Sequence, residues 1–146
     1  VATSTEVPVE ALEAEVLIGE HRSMAPRVLH HLAFRTDDVD RLTTFYREVV
    51  GLPLRDGGSP GRSTWLALGD AIVMIERADP GETLVARDTK ELVAFRLEAA
   101  AMASLRDTLA RAHVAIETET RFTIYARDPD GRRIAFSHYP DEPPAT

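Results

Sequence analysis

The stretch Val28-Leu29-His30-His31-Leu32-Ala33-Phe34-Arg35 decides how this chain is read. It is a short apolar run interrupted by histidine. An amphipathic segment follows, with Val39, Leu42, Phe45 or Tyr46, and Val49 on one face at helical spacing. The run then returns as Glu91-Leu92-Val93-Ala94-Phe95-Arg96-Leu97, with Ala-Phe-Arg in register. Leu92 stands where His31 stood, an offset of 61 residues (31 to 92). A strand feeding a helix, present twice, predicts a duplicated unit. Two copies at so long a period are not a solenoid.

Outward from these runs the same order of elements appears on both sides. In the first copy Thr36-Asp37-Asp38 offers oxygens to cap the helix, Gly51 ends it and Pro53 prevents its resumption. Residues 52–55 read as a short extended piece and Asp56-Gly57-Gly58-Ser59-Pro60-Gly61 as a loop by composition. Residues 63–68 and 71–76 read as a hairpin about Gly69-Asp70. Residues 78–90, with Asp79-Pro80-Gly81, are the linker. In the second copy residues 92–97 are a strand, and residues 99–112 a helix with Met102, Leu105 and Leu109 on one face. His113 takes the helix-end place of Gly51. Residues 114–117 and 122–127 are strands, Asp128-Pro129-Asp130-Gly131 is a turn, and residues 132–138 close the unit. The expected organisation is an acidic extension over 1–27, with the pattern of a short helix at 8–18, then a domain over 28–139 and a tail over 140–146. The domain divides into module one (28–77), the linker (78–90) and module two (91–139). Strands with one helix per copy make the class α+β.

Composition narrows the function. A chain of 146 residues suffices for one domain with a real core. No run approaches the roughly 18 apolar residues that span a bilayer, so no membrane partner is expected. The first residues lack the basic and apolar regions of a signal peptide, and cytoplasm is the default location. The absence of cysteine excludes disulfides, thiolate metal sites and cysteine nucleophiles. A formal net charge of −7, with the basic residues scattered, argues against nucleic acid as a partner.

Four pieces carry a family resemblance. They are His31-Leu32-Ala33, Asp38-Val39 before Phe45-Tyr46, Val49-Val50-Gly51-Leu52, and Asp128-Pro129-Asp130-Gly131 before the closing strand. In this order, over residues 28–139, they resemble the vicinal oxygen chelate superfamily. That group includes glyoxalase I, fosfomycin-resistance thiol transferases, extradiol dioxygenases, methylmalonyl-CoA epimerase and bleomycin-resistance proteins. The resemblance implies two tandem βαβββ modules forming a cup-shaped mixed sheet with helices outside, a small-molecule ligand in the cup, and a homodimer.

The metal-dependent relatives place His or Glu on the first and fourth strand of each module. Carried over, those positions are His31, Met74, Leu92 and Ala135, and Met74 to Ala135 repeats the offset of 61. Only His31 can donate a lone pair to a divalent ion. Glu76 shares the face of Met74 two residues on, which gives two donors where catalytic zinc usually has three from the protein. His30, on the same strand, is expected to point away from His31. The expectation is therefore no metal and no cofactor. A metal-dependent lyase, isomerase, transferase or dioxygenase using His31 with displaced ligands is the alternative, and a non-catalytic structural or regulatory module is a third reading.

Period two turns a defined set toward the cup. From His31 it selects Ala33 and Arg35, and from Leu92 it selects Ala94 and Arg96. The other strands add Trp65, Ala67, Ile72, Met74, Glu76, Thr123, Tyr125, Ala135 and Ser137. The candidate ligand-binding residues are His31, Arg35, Trp65, Met74, Glu76, Leu92, Arg96, Thr123, Tyr125 and Ala135. This wall is apolar and partly aromatic, which suits an organic ligand. Arg35 and Arg96 recur at matching places and either grip a carboxylate or phosphate or pair with a nearby acid at a strand end. His31, Glu76 and Tyr125 are the candidates for proton transfer. Gly57-Gly58-Ser59-Pro60-Gly61 has the letters of Gly-x-Ser-x-Gly but reads as a flexible loop rather than a strand-to-helix elbow, and no Gly-rich loop is followed by Lys, so neither nucleophile-elbow nor phosphate-loop chemistry is expected. Whether any reaction is catalysed stays open at this stage.

Overall fold

A computed structural model describes residues 25–142. The helix expected at 8–18 lies outside the described residues. In module one the chain runs β1 (His31–Thr36), α1 (Val39–Phe45), a π-helical turn (Tyr46–Val50), β2 (Leu54–Ser59), β3 (Ser63–Leu68) and β4 (Ala71–Arg77). In module two it runs β5 (Leu92–Arg96), a 3₁₀ turn (Ala99–Ala101), α2 (Met102–Arg111), β6 (Thr118–Glu119), β7 (Thr123–Arg127) and β8 (Arg133–Ser137). The strands form two mixed sheets, ordered β1-β4-β3-β2 and β5-β8-β7-β6. In each, the first strand pairs parallel with the last and the remaining pairs are antiparallel. This is the duplicated βαβββ plan the repeat predicts. Among the described residues no helix is long and apolar enough to cross a membrane.

The local chemistry explains the elements. Asp38 caps α1 by accepting a hydrogen bond from the Arg41 N–H at 3.0 Å. Gly51 ends the helical stretch at φ +87°, and His113 does the same after α2 at φ +55°. The π-helical turn is wider than an α-turn and shifts the helical phase. It lets consecutive residues Phe45 and Tyr46 both reach the core, where the spacing had offered one or the other.

Three expectations are corrected. The strand expected from residue 28 begins at His31, and residues 25–30 have no regular structure. The loop expected at 56–61 is mostly strand, because β2 continues to Ser59 and pairs with Ser63 across a register shift. Gly58 makes that shift fit: its φ is +80°, and a Cβ there would sit 2.6 Å from the Ser63 carbonyl oxygen. The strand expected at 114–117 is reduced to a bridge over Thr118–Glu119, one short edge strand beside β7.

One face of each sheet is apolar, and both contribute to one continuous core. Phe34, Val73, Ile75 and Leu66 come from module one, and Phe95, Ile124, Ile134 and Phe136 from module two. Tyr46 joins them. Its ring lies 5.3 Å from Phe34 and 6.3 Å from Phe95, and it is fully buried. Its hydroxyl donates to Asp128 Oδ2 at 2.9 Å. Burial first, and then the charge of Asp128, push the Tyr46 hydroxyl well above the ordinary phenol value.

Asp128 is satisfied from several sides. It accepts from the Asp130 and Arg132 N–H groups at 2.9 Å each and from Arg132 Nη1 at 2.6 Å. The Arg132 guanidinium also sits 4.3 Å from the Phe34 ring centroid, and Arg41 reaches Asp130 at 2.7 Å. The helix of module one is thus locked to the last turn of module two.

Gly131 completes that turn at φ +89°, and a Cβ there would lie 2.9 Å from the Arg87 Cα in the linker. Gly131→Ala is expected to destabilise the chain by more than about 1 kcal/mol, from both the strained φ and the clash with backbone. Urea unfolding of the two proteins measures it; equal midpoints would contradict the packing of linker on turn.

Candidate functional site

The sheet faces opposite the core carry the sequence-predicted residues in hydrogen-bonded rows. In module one, Ala33, Met74, Trp65 and Arg55 form one row across β1, β4, β3 and β2. Arg35, Glu76 and Ser63 form the next, and His31, Ile72 and Ala67 another. In module two, Ala94, Ala135, Tyr125 and Thr118 form a row, flanked by Arg96, Ser137 and Thr123 on one side and Leu92, Arg133 and Arg127 on the other. Strand alternation sets these residues on the face opposite Leu66, Val73 and Ile134, which are buried in the core, but two residues expected to line the open face, Ile72 and Ala135, are themselves buried.

Trp65 belongs to the open face and not to the layer between sheet and helix. Its six-membered ring lies over Gly57 of β2, where a Cβ would be 2.1 Å from Cε3, so only glycine admits the indole there. Its Nε1 is buried with no hydrogen-bond partner among the described residues. Tyr125 is half-buried, with the Arg133 guanidinium 4.5 Å from its ring centroid. Thr123 and Ser137 satisfy each other across β7 and β8, with hydroxyl oxygens 2.9 Å apart. His31, Ala33, Leu92 and Ala94 are exposed.

The arginine fork is already occupied. Arg35 donates from Nε to Glu82 Oε1 at 2.8 Å and from Nη2 to Glu82 Oε2 at 2.7 Å, and reaches Glu76 at 3.2 Å and Asp79 at 3.4 Å. Three carboxylates collar one guanidinium, so Arg35 has no fork left for an anionic ligand. Arg96 pairs with Asp141. Glu82 and Asp79 come from the linker, and nothing in the local pattern about Arg35 announces them. The sheet face also holds Arg127 and Arg133, which the sequence reading did not single out although parity with Tyr125 and with Ala135, respectively, selects them.

The three proton-transfer candidates are not brought together. His31 is opposite Ile72, whereas Glu76 is opposite Arg35, four residues further and roughly 13 Å along the strand. Tyr125 is on the other sheet. His30 meets His31 after all, with their Nδ1 atoms 2.9 Å apart, because His30 lies just before the strand and is free of its alternation. His138 is buried at 2% exposure, stacked edge-on against Phe122 and within hydrogen-bond reach of the Asp141 carbonyl oxygen. It is a structural group. Among the described residues no cluster of three or more His, Asp or Glu side chains converges as a metal site would require.

The collar has a pH signature. Glu82 is lowered from 4.5 to about 2, first by the hydrogen bond from Arg35 and then by the Asp79 N–H. The folded state therefore favours the charged carboxylate. That contribution is fully present above about pH 4.5 and is lost as pH falls through about 2. An NMR titration is expected to find the Glu82 midpoint well below that of an exposed glutamate; an ordinary midpoint would contradict the collar.

Comparison with known proteins agrees with this architecture. The Glyoxalase/Bleomycin resistance protein/Dioxygenase superfamily model matches residues 28–136. No curated protein sequence matches the chain. Among solved structures, the fosfomycin resistance protein FosX from Mesorhizobium loti is 20% identical, with 78% of this chain and 93% of that one covered and a TM-score of 0.65. Lactoylglutathione lyase from Agrobacterium tumefaciens is 20% identical, with 78% and 95% covered and a TM-score of 0.57. The genomically encoded FosX from Listeria monocytogenes, solved with Mn(II) and sulfate, is 14% identical, with 78% and 90% covered and a TM-score of 0.63. At these identities the structures share the fold alone. The family model spans most of the chain, and the protein belongs to the glyoxalase/bleomycin resistance/dioxygenase superfamily.

Proposed function

We propose that this superfamily member binds a small apolar or aromatic molecule on the sheet faces bearing His31, Trp65, Met74, Leu92 and Tyr125, and that it does so without a bound metal. The observation that carries this reading is the donor set. At the four positions where metal-dependent members place His or Glu, this chain has His31, Met74, Leu92 and Ala135. A thioether is a poor ligand for a hard divalent ion, and two hydrocarbon side chains are none. The displaced candidate, Glu76, is hydrogen-bonded to Arg35. The residues present do not fit a divalent metal.

What they do fit is a ring. Met74 and Trp65 are half-buried neighbours in one row, and Tyr125 is half-buried on the other sheet, so each face offers apolar or aromatic surface. Arg35 and Arg96 are both engaged by carboxylates and Arg127 and Arg133 share Glu117, which favours an uncharged aromatic body as the group recognised. Sequestration of a toxic organic compound and metal-free catalysis both suit such a surface. A homodimer belongs to the same reading: Leu29 and Leu92 are exposed apolar residues at the open ends of β1 and β5, and a second copy would cover them.

Elemental analysis of the purified chain is expected to find no stoichiometric zinc, nickel, manganese or iron, and chelator is expected to leave Tm unchanged. Neutral aromatic compounds that raise Tm are expected to lose that effect in Trp65→Ala and His31→Ala. About one transition metal per chain, lost on replacing His31 or Glu76, would overturn this reading in favour of a metalloenzyme.

A further inference from the structure

We infer that a second ligand site, for a small organic anion, lies where module one, the linker and module two meet. A cavity of about 940 Å³ opens there, within the size range of small-molecule pockets. Its apolar wall includes Phe45 from module one and Val114 and Pro129 from module two, and its cations are Arg87, Lys90 and Arg127. None of the residues proposed above for the neutral ligand lines it.

The charge inventory argues for an anion. Asp128 is at the wall, but its carboxylate is enclosed and already accepts from Tyr46 and Arg132. Glu117 is shared by three cations, Arg127 at 2.8 Å, Arg133 at 3.1 Å and Lys90 at 3.8 Å. One carboxylate cannot neutralise three. Burial pushes Glu117 upward, yet Arg127, Arg133 and Lys90 together hold it below its ordinary value, as an excess of positive charge would. Arg87 has no carboxylate within ion-pair distance among the described residues, and its stem is fixed against Gly131. Asp88 is the one remaining acid at the wall. This local positive excess sits in a chain of net charge −7, where an attractive site for anions must be built deliberately. The apolar wall selects a carboxylate, sulfonate or phosphate ester carried on a hydrocarbon or aromatic body over a free inorganic ion.

The test is a fluorescence titration of the full chain with 8-anilinonaphthalene-1-sulfonate, an aromatic sulfonate. Saturable binding is expected, weakened by added salt. Arg87→Gln combined with Lys90→Gln is expected to weaken it roughly tenfold or more. Lys90→Glu alone, at a side chain 80% exposed, is expected to weaken it in the same direction. Trp65→Ala is expected to leave it unchanged, and the amide signals of His113 and Val114 are expected to shift while the Trp65 indole N–H does not. Absence of saturable binding, unchanged affinity in Lys90→Glu, or loss of binding in Trp65→Ala would overturn the inference. The last outcome would place the probe on the neutral-ligand face and leave the function proposed there standing.

Discussion

The structure depends on one buried hydrogen bond, from the Tyr46 hydroxyl to Asp128. A carboxylate with no exposed side-chain surface is costly to bury unless its oxygens are satisfied. Asp128 meets that condition with two backbone N–H groups, the Arg132 guanidinium and Tyr46. Three of these partners belong to its own turn, and the fourth comes from the helix of the other module. A tightly built turn in module two therefore becomes the receptor for an aromatic residue of module one. Phe34 and Phe95 hold that ring from either side, so the polar contact and the shared core specify the same arrangement.

This arrangement fixes which side chains are left to the open face. With one face of each sheet committed to the core, every second residue of β1, β3, β4, β5, β7 and β8 is left to the other face. The same covalent alternation that buries Phe34 exposes His31 and Ala33. The duplication then sets equivalent positions 61 residues apart, so that Ala33 opposite Met74 is matched by Ala94 opposite Ala135. In the proposed reading, the four positions that correspond to metal ligands in metal-dependent members hold His31, Met74, Leu92 and Ala135. One fold can carry many chemistries.

Much of this was legible from the residues. Periodicities of two and 3.6 gave the strands, helices and faces, and Gly51, His113 and Gly131 marked the stops at positive φ. Local composition failed where pairing overrides it: Asp56-Gly57-Gly58-Ser59 has loop chemistry but is held as strand by β3. Long-range electrostatics was also hidden. Nothing near Arg35 points to Glu82, 47 residues away, and Asp128 reads as a turn residue until Tyr46, 82 residues earlier, is seen to reach it. The cavity between linker and modules has the same origin, since its wall is drawn from four separate segments.

A double-mutant cycle of Tyr46→Phe and Asp128→Asn, followed by denaturant unfolding, tests the junction most directly. The account predicts a coupling energy of about 1–3 kcal/mol, with each single variant losing more than its share of the double. Additive effects, with coupling near zero, would mean that the modules are held together by the apolar core alone and would contradict the place given to this contact.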